Sequence, residues 1–371
     1  MEQDVYDRLA RRMADLAVGP PFNEHLVEML RESFTVAEAE ILNTLPTAVP
    51  ALNPVPLVQI GRGLGYGREE LESILDGLAA RGLVFRSTVG GQRGYALHQF
   101  GYGMPQGVFW PNEDTPYARR MADLCIQHSR PHVLTSAFGG PSSKVFRWVP
   151  VNKTLNSFKH AILPYAEIDE IVNRATVIAV VNCNCRVMSR IKGREPCQHP
   201  LDVCIKYDEL AEYVIDVGIG RRVSKDEAKA VNKRAEEAGC VHFSDNVVDG
   251  GVKHTCNWCP CCCWSLWTFK RRRVPRDLLM ACQFIRETDL DNCIGCEACA
   301  EACPIEAVVM QDDLPHVDMD WFIGCGVCAS SCPNGAISMV RRDEVPDPFP
   351  DLRALHGKRL EEKVPAKEPE T

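Results

Sequence analysis

Two cysteine runs near the C-terminus hold the densest chemistry in the chain. The first is Cys293-Ile-Gly-Cys296-Glu-Ala-Cys299-Ala-Glu-Ala-Cys303-Pro304. The second, Cys325-Gly-Val-Cys328-Ala-Ser-Ser-Cys332-Pro333, repeats the spacing with Phe322 where a first cysteine would stand. Thiolates at these intervals wrap an iron–sulfur cluster, because short glycine-containing turns let successive sulfurs converge on one point. The chemistry implied is the handling of single electrons.

A second concentration lies mid-chain: Cys183-Asn-Cys185-Arg186, then Cys197 and Cys204, and fifty residues on Cys256-Asn-Trp-Cys259-Pro-Cys261-Cys262-Cys263. Two short pairs can close a zinc tetrahedron, and Cys183, Cys185, Cys197 and Cys204 would suffice for one. Zinc leaves five further cysteines without a use. Nine thiolates suit two four-iron clusters with one left over, or one cluster beside a reactive thiol site, and beside the C-terminal runs iron–sulfur is the economical reading. Adjacent side chains diverge on strand and helix alike, so Cys261, Cys262 and Cys263 are expected to serve different destinations, or one of them to sit in the core. Cys125, Cys240 and Cys282 stand apart and read as small buried hydrophobes.

The C-terminal runs resemble a bacterial-type dicluster ferredoxin domain over residues about 285–340. In that arrangement the fourth cysteine of each run ligates the other cluster. The resemblance therefore implies a [4Fe-4S] cluster on Cys293, Cys296, Cys299 and Cys332, and a second site on Cys303, Cys325 and Cys328. Phe322 leaves the second site short of one thiolate. It stands open between a [3Fe-4S] cluster, a four-iron cluster with a non-cysteine ligand or open iron, and no cluster, with Asp320 and His316 near enough in sequence to substitute. Two to four clusters are expected in the whole chain.

These residues sit in a chain of 371 residues whose apolar and charged fractions are those of an ordinary soluble protein. A net charge of −8 does not favour nucleic acid or an anionic membrane. The opening MEQDVYDRLARRMADLA is charged and amphipathic, without the apolar segment of a signal peptide. The longest apolar stretch, Ala175 to Val181, is too short to span a bilayer. Nineteen cysteines in a chain without export signals point to metal or redox chemistry in the cytoplasm before disulfides.

The elements that must position the cysteines fall into three units of an α+β, multidomain chain. Residues 21–107 show helical stretches at Asn23–Glu32, Thr35–Leu45 and Arg68–Leu78, then strands Leu83–Ser87 and Arg93–Leu97 around Gly90-Gly91. That order resembles a winged-helix domain. Its would-be recognition helix carries Glu69, Glu70, Glu72 and Asp76, which repel phosphates, so a docking or scaffold module is favoured over DNA binding. The glycine string Gly61 to Gly67 fails the dinucleotide register at Tyr66 and reads as a turn. Residues 108–275 form a central cysteine-rich α/β domain, with a helix at Tyr117–Ser129, strands Val145–Val151 and Thr176–Val181, and helices at Asp169–Arg174, Tyr207–Val217 and Lys225–Gly239. Ser224-Lys-Asp-Glu227 has the capping-box form. Trp264 to Arg273 reads either as a core helix with a solvated end or as a docking face for an acidic partner. Residues 280–342 form the ferredoxin-like unit and 343–371 a disordered tail.

Taken together, the winged-helix-like start, C-x-C-Arg with two later cysteines, the C-x2-C-x-C-C-C block and the C-terminal ferredoxin resemble a family of iron–sulfur proteins of anaerobic prokaryotes. The resemblance implies redox function. The first reading of the chain is an electron-transfer protein, a subunit or partner of an anaerobic oxidoreductase complex, whose redox partner is a flavoprotein or another oxidoreductase subunit. No flavin or nicotinamide fingerprint is present in the sequence itself. Two other readings compete: a catalytic iron–sulfur enzyme acting in the central domain, and a redox-sensing DNA-binding regulator.

Overall fold

A computed structural model describes residues 4–47, 49–129, 135–151, 168–194, 197–248, 251–271 and 274–363. The N-terminal part begins with helices Val5–Ala14, Glu24–Ser33 and Val36–Leu42. The second starts where the Asn23 side chain accepts from the Leu26 N–H, and the third where Thr35 and Glu38 form a reciprocal capping box. The helix Arg68–Ala80 follows, burying Leu71, Leu75 and Leu78 on one face. Strands β1 (Val55–Pro56), β2 (Val84–Val89) and β3 (Gln92–Leu97) pair in the order β1-β3-β2. The glycine string is a turn, with Gly61, Gly63 and Gly65 at positive φ where a side chain would be strained.

The centre of the molecule is a six-stranded sheet of β4 (Phe146–Val149), β5 (Ile178–Val181), β6 (Cys204–Tyr207), β7 (Arg221–Arg222), β8 (Val241–Asp245) and β9 (His254–Trp258). Their order is β4-β8-β9-β6-β5-β7 and every pairing is antiparallel. This corrects the expected α/β layer: helices join the strands, but the chain returns so that neighbours run in opposite senses, which gives a mixed α+β architecture. Helices Ile168–Arg174, Asn184–Ile191, Asp208–Asp216, Lys225–Glu237 and Trp264–Lys270 surround it. Ser224 caps the fourth of these through the Glu227 N–H. Arg272 and Arg273 of the basic run lie outside the described residues.

The C-terminal unit pairs β10 (Phe284–Thr288) with β13 (Ile337–Arg341), and β11 (Val308–Gln311) with β12 (Leu314–Val317). One hydrophobic core runs from the six-stranded sheet through Ile305, Phe322, Cys325 and Met339 to Leu352 and Leu355.

The tail expected to be disordered is helical over Leu352–Glu362. Its Arg359 is fully buried and donates to the carbonyls of Ala17, Ala137 and Ser143. Its His356 accepts from the Ala51 N–H at 2.9 Å. Backbone carbonyls elsewhere in the chain supply the partners, which composition does not reveal. Among the described residues no helix is long and apolar enough to cross a membrane.

Candidate metal centre

The central cysteines lie on β6 and β9, at the starts of the helices that follow β5 and β9, and, for Cys197, in the loop before β6. β5 delivers Cys183 and Cys185 to the start of the helix Asn184–Ile191, where Cys183 occupies the cap position. β9 delivers Cys259, Cys261, Cys262 and Cys263 to the start of the helix Trp264–Lys270, where the Cys263 sulfur accepts from the Leu266 N–H at 3.5 Å. β6 and β9 are neighbours in the sheet with Ile205 opposite Thr255, so Cys204 and Cys256 meet across them with sulfurs 3.8 Å apart.

Two sets emerge. In the first, the ligand atoms of Cys197, His199, Cys259 and Cys261 all lie within 4.8 Å of one another. The sulfur of Cys197 is 3.3 Å from that of Cys261 and 3.8 Å from that of Cys259, and the Cys262 sulfur is 3.7 Å from that of Cys261. His199 Nδ1 stands 3.5 Å from Cys197 Sγ and 3.6 Å from Cys261 Sγ. Sulfur and imidazole donors at such separations suit a tetrahedral ion, since metal–sulfur bonds of about 2.3 Å place neighbouring donors just under 4 Å apart. His199 was missed in the sequence, although its C-x-H spacing from Cys197 was there to be read. In the second set, Cys185, Cys204 and Cys256 line a cavity of ≈ 50 Å³ together with Phe146, Phe243 and Trp258. Cys183 is in contact with Cys185, which also meets Cys263.

Fixed positive charge accompanies the sulfurs. Arg186 is buried and reaches the Cys240 sulfur at 3.2 Å and the Asn257 carbonyl at 3.0 Å. Lys206, also buried, lies 4.7 Å from the centre of the Trp110 ring. A hydrogen bond from Cys256 holds the Cys204 thiol below the ordinary cysteine range against the opposing effect of burial, with Lys206 and Arg186 adding to it. A hydrogen bond from Cys262 does the same for Cys259, again with Arg186 beside it. Thiols must lose their protons to bind metal, and these two are prepared to do so. Cys240 thereby acquires a partner in Arg186, whereas Cys125 is a buried thiol that burial alone pushes up to about 12.

In the C-terminal unit, Cys293, Cys296, Cys299 and Cys332 line one small cavity together. Gly295, Gly324 and Gly326 take positive φ in the cysteine turns. A Cβ on Gly295 would approach the Asp313 carbonyl to 2.7 Å. The N–H groups of Ala307 and Ala336 donate to the sulfurs of Cys303 and Cys332 at 3.2 and 3.3 Å, the stabilisation a thiolate ligand requires. These residues fit the thiolate cradle of a cluster.

Cys325 and Cys328 are buried, and Phe322 is 3 % exposed within the same core. The thiol of Cys282 donates to the Phe322 carbonyl at 3.6 Å, so Cys282 is a neighbour of the substituted corner. His316 and Asp320, named as substitutes, are both exposed on the surface.

No curated protein and no solved structure matches the chain. The family described as 4Fe-4S dicluster domain matches residues 292–337. The cysteine turns of this C-terminal segment thus belong to a 4Fe-4S dicluster ferredoxin domain.

Proposed function

We propose that the protein is an electron carrier, a subunit or partner of an anaerobic oxidoreductase, in which the ferredoxin unit passes single electrons to and from the central cysteine sets. Cys293, Cys296, Cys299 and Cys332 hold cluster one; Cys303, Cys325 and Cys328 hold cluster two. In the central domain, Cys183, Cys185, Cys204 and Cys256 form one ligand set, and Cys197, His199, Cys259 and Cys261, with Cys262 beside them, form another. Cys263 remains as the capping residue. Such clusters supply reversible one-electron chemistry at potentials tuned by ligand charge, hydrogen bonds and exposure.

The observation that carries this reading is a gradient of exposure. Cys296 is exposed, and around it Leu290 and Ile294 are 59 % and 63 % exposed. Cys325 and Cys328, by contrast, are buried in the core shared with the six-stranded sheet. Electrons thus have a surface entry at cluster one and a protected route inward through cluster two. The exposed apolar residues are rimmed by Asp289, Asp291 and Glu297, a pattern suited to a redox partner with a basic face.

The N-terminal helices and hairpin form a winged-helix module used for docking. Asp76 of its third long helix binds Arg86, Arg93 and Tyr95 of its own hairpin, and Arg86 also binds Asp216 of the central domain. The hairpin's cations are engaged within the protein, which weighs against phosphate binding.

The test uses the full chain purified anaerobically, with iron and sulfide analysis and electron paramagnetic resonance. The protein should be brown with more than one cluster. Cys296→Ala should slow reduction by a protein donor such as a reduced flavodoxin, while a small viologen still reduces the remaining clusters. Reduction of that variant by flavodoxin at the parental rate would refute cluster one as the port.

A further inference from the structure

A cavity of ≈ 220 Å³ opens between the helices Pro116–His128, Asn184–Ile191 and Trp264–Lys270. Its walls are Phe109, Ile126, Met188, Trp264 and Trp267, and both Cys185 and Cys262 reach it, so it borders each central sulfur set. Small-molecule sites combine such an apolar body with a few placed polar groups.

The polar groups here are cationic. Lys192, Arg194 and Arg271 line the cavity, and no carboxylate is among its described lining residues. Lys192 is neutralised by Asp123. Arg194 and Arg271 have no ion-pair partner among the described residues, and their guanidinium carbons lie 5.5 and 4.1 Å from the centre of the same ring, that of Trp267. The indole attracts each cation, but two like charges gathered on one ring repel unless an anion joins them. Gln106 lines the cavity too, and its side-chain oxygen is buried without a hydrogen-bond partner. Turning the amide over would offer its NH2 group there as a donor.

We infer that this cavity binds a small organic carboxylate with a single apolar ring, its carboxylate between Arg194 and Arg271 and its ring against Trp264 and Met188. Guanidinium pairs match carboxylate oxygens in plane and charge. The inference stands apart from the electron-transfer reading, because neither arginine nor the indole belongs to a sulfur set. It places an organic molecule beside Cys262, at the edge of the metal centre.

The test titrates the anaerobic, iron-loaded full chain with benzoate, followed by calorimetry and tryptophan fluorescence. Benzamide keeps the ring without the charge, and inorganic phosphate keeps charge without the ring. Benzoate should bind one-to-one, at least about tenfold more tightly than either control, and Arg194→Gln and Arg271→Gln should each weaken it about tenfold. Both arginines are exposed, so iron content should stay at the parental value. Equal binding of benzoate and benzamide, equal binding of benzoate and phosphate, parental affinity in both variants, or no saturable benzoate binding would each overturn the inference.

Discussion

The backbone N–H of Val151 donates to the carbonyl of Cys325 at 3.2 Å. This bond ties the end of the edge strand of the central sheet to a cysteine of the second ferredoxin run. The two units share a core around it, so the geometry at Cys325 and Cys328 depends on the six-stranded sheet, and cutting the chain before the ferredoxin unit would expose Phe322, Ile323 and Cys325 together.

Phe322→Cys should alter the second ferredoxin site more than any other single substitution there. Exchanging a buried phenylalanine for cysteine removes core volume at a cost of about 2–4 kcal/mol, unless a ligated iron fills the space. A three-iron site should convert to four iron atoms with a large change in potential; a four-iron site should keep its count and shift its potential. A variant unchanged in iron content, resonance spectrum and potential would show that Phe322 does not face a cluster.

His199 and Cys263 should respond in opposite ways to replacement. His199→Ala removes a donor from the compact set and should let a chelator strip metal from the central domain roughly 10–100-fold more readily. Cys263→Ser keeps a side-chain acceptor for the Leu266 N–H and should leave metal content at the parental level. Metal analysis after dialysis separates the two; equal losses would place Cys263 among the ligands.

Acid should destabilise the protein between pH 6.5 and about 4. Burial lowers His254 and His356 to about 4. Unfolded, both would take up protons already near pH 6.5, so stability is full above that value and falls as pH drops towards the folded-state values. His356 makes this concrete, since its Nδ1 accepts from the Ala51 N–H and must stay unprotonated. His356→Gln should flatten the pH dependence of the urea midpoint over that interval. An unchanged slope would locate the acid sensitivity in other groups.

Arg359→Ala should cost about 3 kcal/mol or more, because three buried carbonyls lose their donor at once. The drop should appear in the denaturation midpoint with cluster spectra unchanged in the folded protein. A loss below about 1 kcal/mol would mean that water replaces the guanidinium.

Much of the local structure was legible because its determinants are close in sequence. Asn23, Thr35 and Ser224 cap the starts of the helices that follow them in sequence, and Gly82 lies just past the end of the one before the hairpin. The cysteine intervals of the C-terminal runs are equally local. What escaped depends on residues far apart. Cys204 meets Cys256 only because β6 and β9 are neighbours in the sheet, and Arg186 finds Cys240 fifty-four residues away. His199 was hidden by the many cysteines around it. The C-terminal helix looked too polar to fold because its buried arginine and histidine bind distant backbone groups, for which composition carries no signal.

That helix also orders events in time. A chain emerges N-terminus first, yet Ala17 and Leu16 near the start are held by Arg359 and Lys363. Final closure therefore waits until residue 363 has been synthesised and freed. Until then the carbonyls of Ala17, Ala137 and Ser143 lack the guanidinium they accept from, so the joining of the two ends of the chain cannot precede completion of the C-terminal helix.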